Sequence, residues 1–359
     1  MDDGAAVPRT PGELAIDTGL LRAFRYACRP DCGLCCFASP RTTPEEIVTL
    51  RRLDPSLRWV ERGRDRFLSS RPDGGACQAL AAHRCRVHAA RPHPCREFPV
   101  TVHVGHRLQA SLVLSCPGIE LSALRAVPAR SRDSLPEPLG LDAELRALRE
   151  RLDSSVARRM REASRRGRAI ERRLRREGRW RDDAEVRAEL GHAVPLPVDE
   201  DFPVEPPPRR ADGLEHLPLF FDGREGPVGL ADSIGGWEAL ELSERGGGET
   251  RGLFVPPDRV PPLEREAEAL LRGYLAYWLE RDSFLASVHL EMLEADAGDV
   301  VAWAADALRE VGAQTLARAS VRRKLDRGEE GRLAVSDVER GITATDQDWL
   351  DRPTWGDRY

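Results

Sequence analysis

Residues 24–36 read Phe24-Arg25-Tyr26-Ala27-Cys28-Arg29-Pro30-Asp31-Cys32-Gly33-Leu34-Cys35-Cys36, which puts four cysteines within nine residues. Thiols this close form a ligand set for a soft metal, and the local fold has to be built around them. The other four cysteines, Cys77, Cys85, Cys95 and Cys116, follow within the next eighty residues, and the 243 residues after Cys116 (359 minus 116) hold none. The N-terminal third therefore carries one thiol system.

Composition bounds what those thiols are for. A chain of 359 residues has room for two domains, since domains usually run ~100–200 residues. The 55 basic and 60 acidic residues leave a net charge of -5, which argues against nucleic acid or an anionic membrane as a general partner. Lys324 is the single lysine, and an arginine bias spread over the whole chain carries no functional weight. The opening Met1-Asp2-Asp3-Gly4-Ala5-Ala6-Val7-Pro8 lacks the basic and apolar regions of a secretory signal, and no apolar run reaches ~18 residues. A cytoplasmic protein without a membrane span is expected. In that compartment thiols stay reduced, so eight clustered cysteines point to metal ligation or redox chemistry, with disulfides the alternative for an exported chain.

The expected fold class is α+β: a small cysteine-rich metal domain with little regular structure, and a larger, mostly helical domain with a small sheet. An irregular arm over 1–20 leads into the cysteine domain over 21–119. Within it, Thr42-Thr43-Pro44-Glu45-Glu46 reads as a helix start, with a threonine cap, a first-turn proline and carboxylates at the positive end of the dipole. Ile47, Leu50 and Leu53 give that helix its apolar face. The stretch 71–99 is rich in turn residues and needs a cross-link to be ordered, while 100–104 and 108–114 read as two strands joined around Gly105-His106.

A basic helical segment follows over 141–192. Leu141, Leu145, Leu148, Leu152, Val156 and Met160 recur at helical spacing, and fourteen arginines face five acids between 146 and 179, about +9. That run reads first as a solvated helix face and second as a surface for an acidic partner. No aromatic residues are interleaved to stack on bases. A proline-rich linker over 193–212 then marks the domain boundary. The domain over 213–345 is expected to hold strands at 217–221, 239–242 and 253–255, with Gly246-Gly247-Gly248 as a turn. Its helices are expected near 263–282, 284–295, 298–311 and 313–325, before a tail over 346–359.

The complete cysteine pattern carries a resemblance. Cys28-x3-Cys32-Gly-Leu-Cys35-Cys36, then Cys77, then Cys85-Arg-Val-His-Ala-Ala-Arg91-Pro92-His-Pro-Cys95-Arg96-Glu-Phe98-Pro99, then Cys116-Pro117-Gly118 resembles the YkgJ-type cysteine-cluster family of zinc- or iron-chelating domains. The family usually has two residues between its first two cysteines, where this chain has three, and commonly a tyrosine where His88 stands. It includes a flagellin lysine N-methylase. Through that member the resemblance implies an iron-sulfur cluster and methyl transfer from S-adenosylmethionine to a protein lysine.

The residues give their own reasons to expect metal. Thiolate is soft, so all eight of Cys28, Cys32, Cys35, Cys36, Cys77, Cys85, Cys95 and Cys116 are candidate ligands for zinc or for an iron-sulfur cluster of the 4Fe-4S kind. Eight exceed one tetrahedral ion. Adjacent Cys35 and Cys36 would close a strained ring on a single ion, so two sites, or one cluster with accessory thiols, fit the count better. A four-thiolate centre also carries net negative charge, and Arg91 and Arg96, flanking Cys95, are expected to compensate it from just outside the ligand shell. His83, His88 and His93 could complete a mixed site, whereas His103 and His106 read as turn residues.

Two functional classes remain open. One is an iron-sulfur enzyme, with protein lysine methylation as the specific candidate; no glycine-rich fingerprint follows a strand, so any S-adenosylmethionine site is unconventional. The other is a binding module in which zinc staples a small domain that recognises a protein partner. Nucleic-acid binding would rest on 146–179 alone.

Overall fold

The computed structural model describes residues 16–29, 32–37, 39–63, 65–71, 76–82, 84–104, 108–129, 140–151, 154–191, 196–197, 219–222, 226–233, 236–242, 248–254, 261–294, 298–327 and 331–350. Most of the expected arm and linker, the turn around Gly105-His106, Gly246-Gly247, His83 and the last nine residues lie outside these. The architecture is α+β, with small antiparallel sheets at the N-terminal end and a helical bundle carrying one more sheet at the C-terminal end. No helix among the described residues is long and apolar enough to cross a membrane.

The cysteine region is assembled from short pieces. Strand β1 (Arg41–Thr42) pairs with β3 (Asp65–Leu68), which pairs with β2 (Trp59–Arg62). Helix α1 (Pro44–Leu53) starts where expected, on a full capping box: Glu46 N–H donates to Thr43 Oγ1 at 3.3 Å, and Thr43 N–H donates to the Glu46 carboxylate at 2.9 Å. Ile47 and Leu50 are buried beneath it. The hairpin β4 (Leu80–Ala81) and β5 (Arg84–Cys85), the one-turn helix α2 (His93–Glu97) and the hairpin β6 (Val100–Val104) and β7 (Leu108–Leu112) complete the region. His103 lies inside strand β6, not in a turn as expected from sequence, because the hairpin keeps its regular register through His103↔Gln109.

The basic segment forms two helices, α3 (Asp142–Arg151) and α4 (Ser154–Arg176), followed by α5 (Asp183–Leu190). Ala163, Gly167 and Leu174 of α4 face inward, and Arg161, Arg165, Arg168, Arg172 and Arg176 stand exposed along it. Arg166, Arg173 and Arg175 pair with Glu162, Glu177 and Glu171 at 3.4, 2.9 and 3.0 Å, contacts worth only ~0.3–0.5 kcal/mol each on an exposed helix.

Beyond the linker, β8 (Leu219–Asp222), β9 (Gly226–Ser233), β10 (Gly236–Leu242) and β11 (Gly248–Phe254) form an antiparallel meander. Helices α6 (Arg265–Glu280), α7 (Asp282–Glu294), α8 (Val300–Arg327) and α9 (Val335–Leu350) follow. The two helices expected over 298–311 and 313–325 are one. Glycine within a helix costs about 1 kcal/mol without stopping it, and here Gly312 leaves room for Pro197, whose Cδ would lie 3.1 Å from a Cβ at that position. Helix α9 also overturns the start of the expected tail: Asp346 is fully buried inside it.

One apolar core joins both ends of the chain. It contains Leu20, Leu21 and Phe24, the hairpin residues Val100 and Leu112, Leu145 and Leu148 of α3, and the inner faces of α6 to α9. Phe24, from the first thiol stretch, meets Tyr277 of α6 edge to face at 5.2 Å. A polar node sits in this core. Arg281 donates to both oxygens of Asp346 at 2.9 and 3.1 Å and to the Leu112 carbonyl at 2.8 Å. Asp346 also accepts the Leu114 N–H at 2.7 Å and the Tyr274 hydroxyl at 3.3 Å. The guanidinium lies 4.1 Å from the Trp278 ring centre and 4.6 Å from that of Tyr277, whose hydroxyl accepts the Leu112 N–H at 2.9 Å. Asp346→Ala would leave a buried cation without its counter-charge, and we expect a loss of about 3–5 kcal/mol in urea unfolding; a loss below 1 kcal/mol would show that the node is not load-carrying.

Candidate metal centre

Each cysteine is delivered by a different short element. Gly33, at φ +64°, turns the chain so that the Cys36 N–H reaches the Gly33 carbonyl at 2.9 Å, and a single 3-10 turn over Leu34–Phe37 presents Cys35 and Cys36. The Cys77 N–H donates to the Cys36 carbonyl at 2.6 Å, joining the first thiol loop to the second. Cys85 closes the β4–β5 hairpin opposite Leu80, whose N–H donates to the Cys77 carbonyl at 2.9 Å. Cys95 rides on α2, anchored to α1 where the His93 N–H donates to Glu46 at 2.8 Å. Cys116 follows β7 and is brought alongside the first loop by an antiparallel bridge between Tyr26 and Ile119. None of these elements has much core of its own, beyond a small apolar cluster of Leu50, Leu57, Leu68, Ala79 and Val87 that shares Cys36, Cys77 and Cys85.

All eight sulfurs line one cavity of about 110 Å³. All eight are free thiols: Cys77 and Cys116 are buried, and Cys28 is open to solvent. Tyr26, Leu68, Leu80, Val87 and Phe98 supply apolar wall, Arg29, His88 and Arg91 supply polar groups, and among the described residues no Asp or Glu lines it.

The two arginines flanking Cys95 part company. Arg91 lines the cavity. Arg96 does not: it bonds the His93 ring at 2.9 Å and lies 3.8 Å from Glu46. Consecutive helix positions are separated by about 100°, so with Cys95 turned to the cavity Arg96 turns toward α1. His93 is likewise spent on Arg96, and of the candidate histidines that are described only His88 reaches the cavity, its pKa lowered by burial and by Arg91. His103, half-buried in β6 with its Nε2 shielded from solvent, is held neutral with its pKa down at about 3.

Electrostatics give the cavity its affinity for a cation. Burial pushes Cys77 up to about 11 and Cys116 up to about 12, and raises Cys85 and Cys95 as well, with neighbouring thiols adding to the cost of each further charge. Cys35 is the exception. A hydrogen bond from Cys36 brings it down to about 7 against the burial that opposes it, and Arg91 assists; the same bond pushes Cys36 up. Thiols that resist ionisation in each other's company are deprotonated by a bound metal cation, which reverses both penalties. Among the described residues no three His, Cys, Asp or Glu side chains converge on one point as ligands, and Cys36 is turned to donate to Cys35 instead. Closing on a metal therefore takes side-chain rotation within a ring that the backbone has already formed.

Two residues absent from the sequence reading belong here. Tyr26 lines the cavity and is hydrogen-bonded to Cys28, with its phenol held protonated by burial and by the Cys116 and Cys28 thiols. Its position two residues before Cys28 was the available signal. Glu144 of α3, buried and with one oxygen unpartnered, is close enough to Arg91 and Tyr26 to interact with both; nothing local in sequence marks it.

Residues 27–117, about a quarter of the chain, match the family model CxxCxxCC, described as "Putative zinc- or iron-chelating domain". No significant match was found among curated proteins or among solved structures. The match supports metal binding by this region, whose eight cysteines share one cavity.

In the reduced, metal-free protein, Cys35 should react with iodoacetamide with a midpoint near pH 7, because its thiolate is populated above about 7. Cys77 and Cys116 should stay slow to far higher pH. Arg91→Ala removes a stabilising cation and should move the Cys35 midpoint upward. Peptide mass spectrometry across a pH series reads all three, and a Cys35 midpoint at or above the ordinary thiol value of about 8.5 would contradict the assignment.

Proposed function

We propose that the cavity holds an iron-sulfur cluster, and that the protein uses it in a redox or catalytic step rather than as a passive staple. The observation that carries this is the size of a cavity on which all eight cysteines converge. A single zinc draws four sulfurs to ~2.3 Å and fills the space between them, whereas about 110 Å³ corresponds to several water volumes of ~30 Å³ each. A cluster brings inorganic sulfide to occupy that space, and it supplies one-electron chemistry when bound. Eight soft thiols in the lining favour a soft metal over hard cations.

The chain's own residues have defined parts in this reading. The cysteines hold the metal. Arg91 offsets the negative charge of thiolate ligation from within the lining, and the apolar wall from Leu68 to Phe98 keeps the site dry on its inner side. Cys28, open to solvent, marks the side from which a reactant arrives. Methyl transfer from S-adenosylmethionine to a lysine of a protein substrate is the specific activity that the family resemblance suggests, and it rests on that resemblance alone.

Anaerobic purification followed by iron, zinc and acid-labile sulfide analysis tests the reading. Brown protein with iron and sulfide in similar amounts is expected; colourless protein with stoichiometric zinc and no sulfide would replace it with a zinc-stapled binding module. Incubation of the brown protein with S-adenosylmethionine and candidate protein substrates, read by mass spectrometry of lysines, then decides the methyl-transfer step.

A further inference from the structure

Helix α4 gathers part of its charge into one line. With about 100° between consecutive helix positions, Arg161, Arg165, Arg168, Arg172 and Arg176 fall within an arc of about 80°, and all five are exposed. Over the residues from 161 to 176 the stripe runs about 22 Å. It lies opposite the inward face of the helix, where Ala163, Gly167 and Leu174 are buried and Ile170 packs on Ala286 and Leu290 of α7. Just beyond the C-terminal end, Arg179 donates to the Met292 carbonyl and the Trp180 ring stacks on His289 at 4.2 Å. The stripe is thus presented on a firmly anchored helix.

The acids between 154 and 177 are all used elsewhere. Glu162 pairs with Arg166 at 3.4 Å, Glu177 with Arg173 at 2.9 Å and Glu171 with Arg175 at 3.0 Å, and Arg175 also reaches Asp182 at 2.9 Å. These pairs flank the stripe on either side. Among the described residues no carboxylate pairs with any of its five arginines. Like charges three and four residues apart destabilise a helix, and the stripe places four such pairs in succession. A glutamate at any middle position would turn two repulsions into attractions. A face that served solubility alone has no need to line up five unpaired cations while its glutamates neutralise the flanks.

We propose that this stripe docks an acidic helical segment of a partner protein. An acidic helix with carboxylates every three or four residues repeats at the same rise, so it answers the five guanidiniums in register. Each guanidinium fork can hold a carboxylate through two parallel bonds. Two other polyanions fit less well. A basic helix that binds a lipid surface buries an apolar face beside its cations, and the apolar face of α4 is spent inside the protein. A single nucleic-acid strand is held by cations together with aromatic side chains, and the stripe has none, Trp180 being stacked on His289. The proposal is independent of which metal the thiols hold.

Fluorescence anisotropy on the full chain tests it, with two labelled peptides of equal length and composition as probes. One carries its glutamates on a single helix face at the spacing of the stripe, and the other carries the same glutamates dispersed around the helix. The one-face peptide should bind about tenfold more tightly than the other, and should weaken steeply between about 50 and about 200 mM salt. The triple variant Arg165→Gln/Arg168→Gln/Arg172→Gln should lose about tenfold in that affinity while its thermal midpoint stays at or above that of the wild type, because repulsion is relieved. Arg168→Gln alone should show a smaller loss in the same direction, and it carries the comparison if the triple variant does not fold. Removing the same charge from the flanks, in Arg166→Gln/Arg173→Gln/Arg175→Gln, should change the affinity by less than about twofold. Equal binding of the two peptides, no binding of either, or wild-type affinity in the stripe variants would overturn the proposal. Tighter binding of a single-stranded oligonucleotide of equal charge would overturn it too, and would reassign the stripe to nucleic acid.

Discussion

Burying Arg281 and Asp346 together is the constraint on which the remainder depends. Removing two charges from water costs several kcal/mol per ion, and such a pair is tolerated only where further hydrogen bonds complete it. Here the carboxylate accepts from Arg281, from the Leu114 N–H and from the Tyr274 hydroxyl, and the guanidinium also reaches the Leu112 carbonyl. Charged hydrogen bonds of this kind are worth roughly 1.5–3 kcal/mol each, enough to offset the desolvation only when all are made at once. The node therefore demands that helix α9, the α6–α7 junction and the end of β7 occupy one fixed arrangement. Gln109 strengthens the same junction, accepting the Asp282 N–H at 2.7 Å.

Cys116 inherits its position from that arrangement. Leu114, two residues before it, is held by Asp346, and the Cys116 N–H then turns back to Val113 at 3.1 Å. Three residues after Cys116, the bridge from Ile119 to Tyr26 fixes the first thiol loop, and the bond from Cys77 to the Cys36 carbonyl fixes the second. The ring of sulfurs is thus preset by the backbone. What it lacks by itself is charge balance: apart from Cys35, the shifted thiols are pushed up by burial and by one another, and the nearby arginines, Arg91 first among them for Cys35 and Cys95, offset this only in part.

Features written in local spacing were legible from the sequence. The Thr43 capping box, the strands on either side of Gly105-His106, helices α6 and α7 and the convergence of all eight cysteines follow from motifs a few residues long. What escaped depends on tertiary contact. Helix α9 has Gly341 and the β-branched Thr343 and Thr345, whose hydroxyls bond back to Glu339 and Gly341 at 2.7 and 2.8 Å, so propensity gave little warning of it. Its start is stabilised instead by Asp337, which accepts the Ala334 N–H at 2.9 Å and pairs with Arg323 at 3.0 Å. Arg96 looked equivalent to Arg91 because proximity in sequence does not report which way a helix faces. Glu144 and Asp346 became meaningful only once distant segments were packed against them.

The bond from Leu114 to Asp346 also bears on how this protein could have been assembled in evolution. A metal module of about a hundred residues that closed on itself could pass between proteins as a cassette, with its neighbours free to diverge. Here one wall of the thiol cavity is held by a carboxylate 232 positions further along the chain, counted from Leu114. Grafting residues 27–117 alone onto another scaffold would therefore transfer the ligands without the carboxylate that holds Leu114, two residues before Cys116.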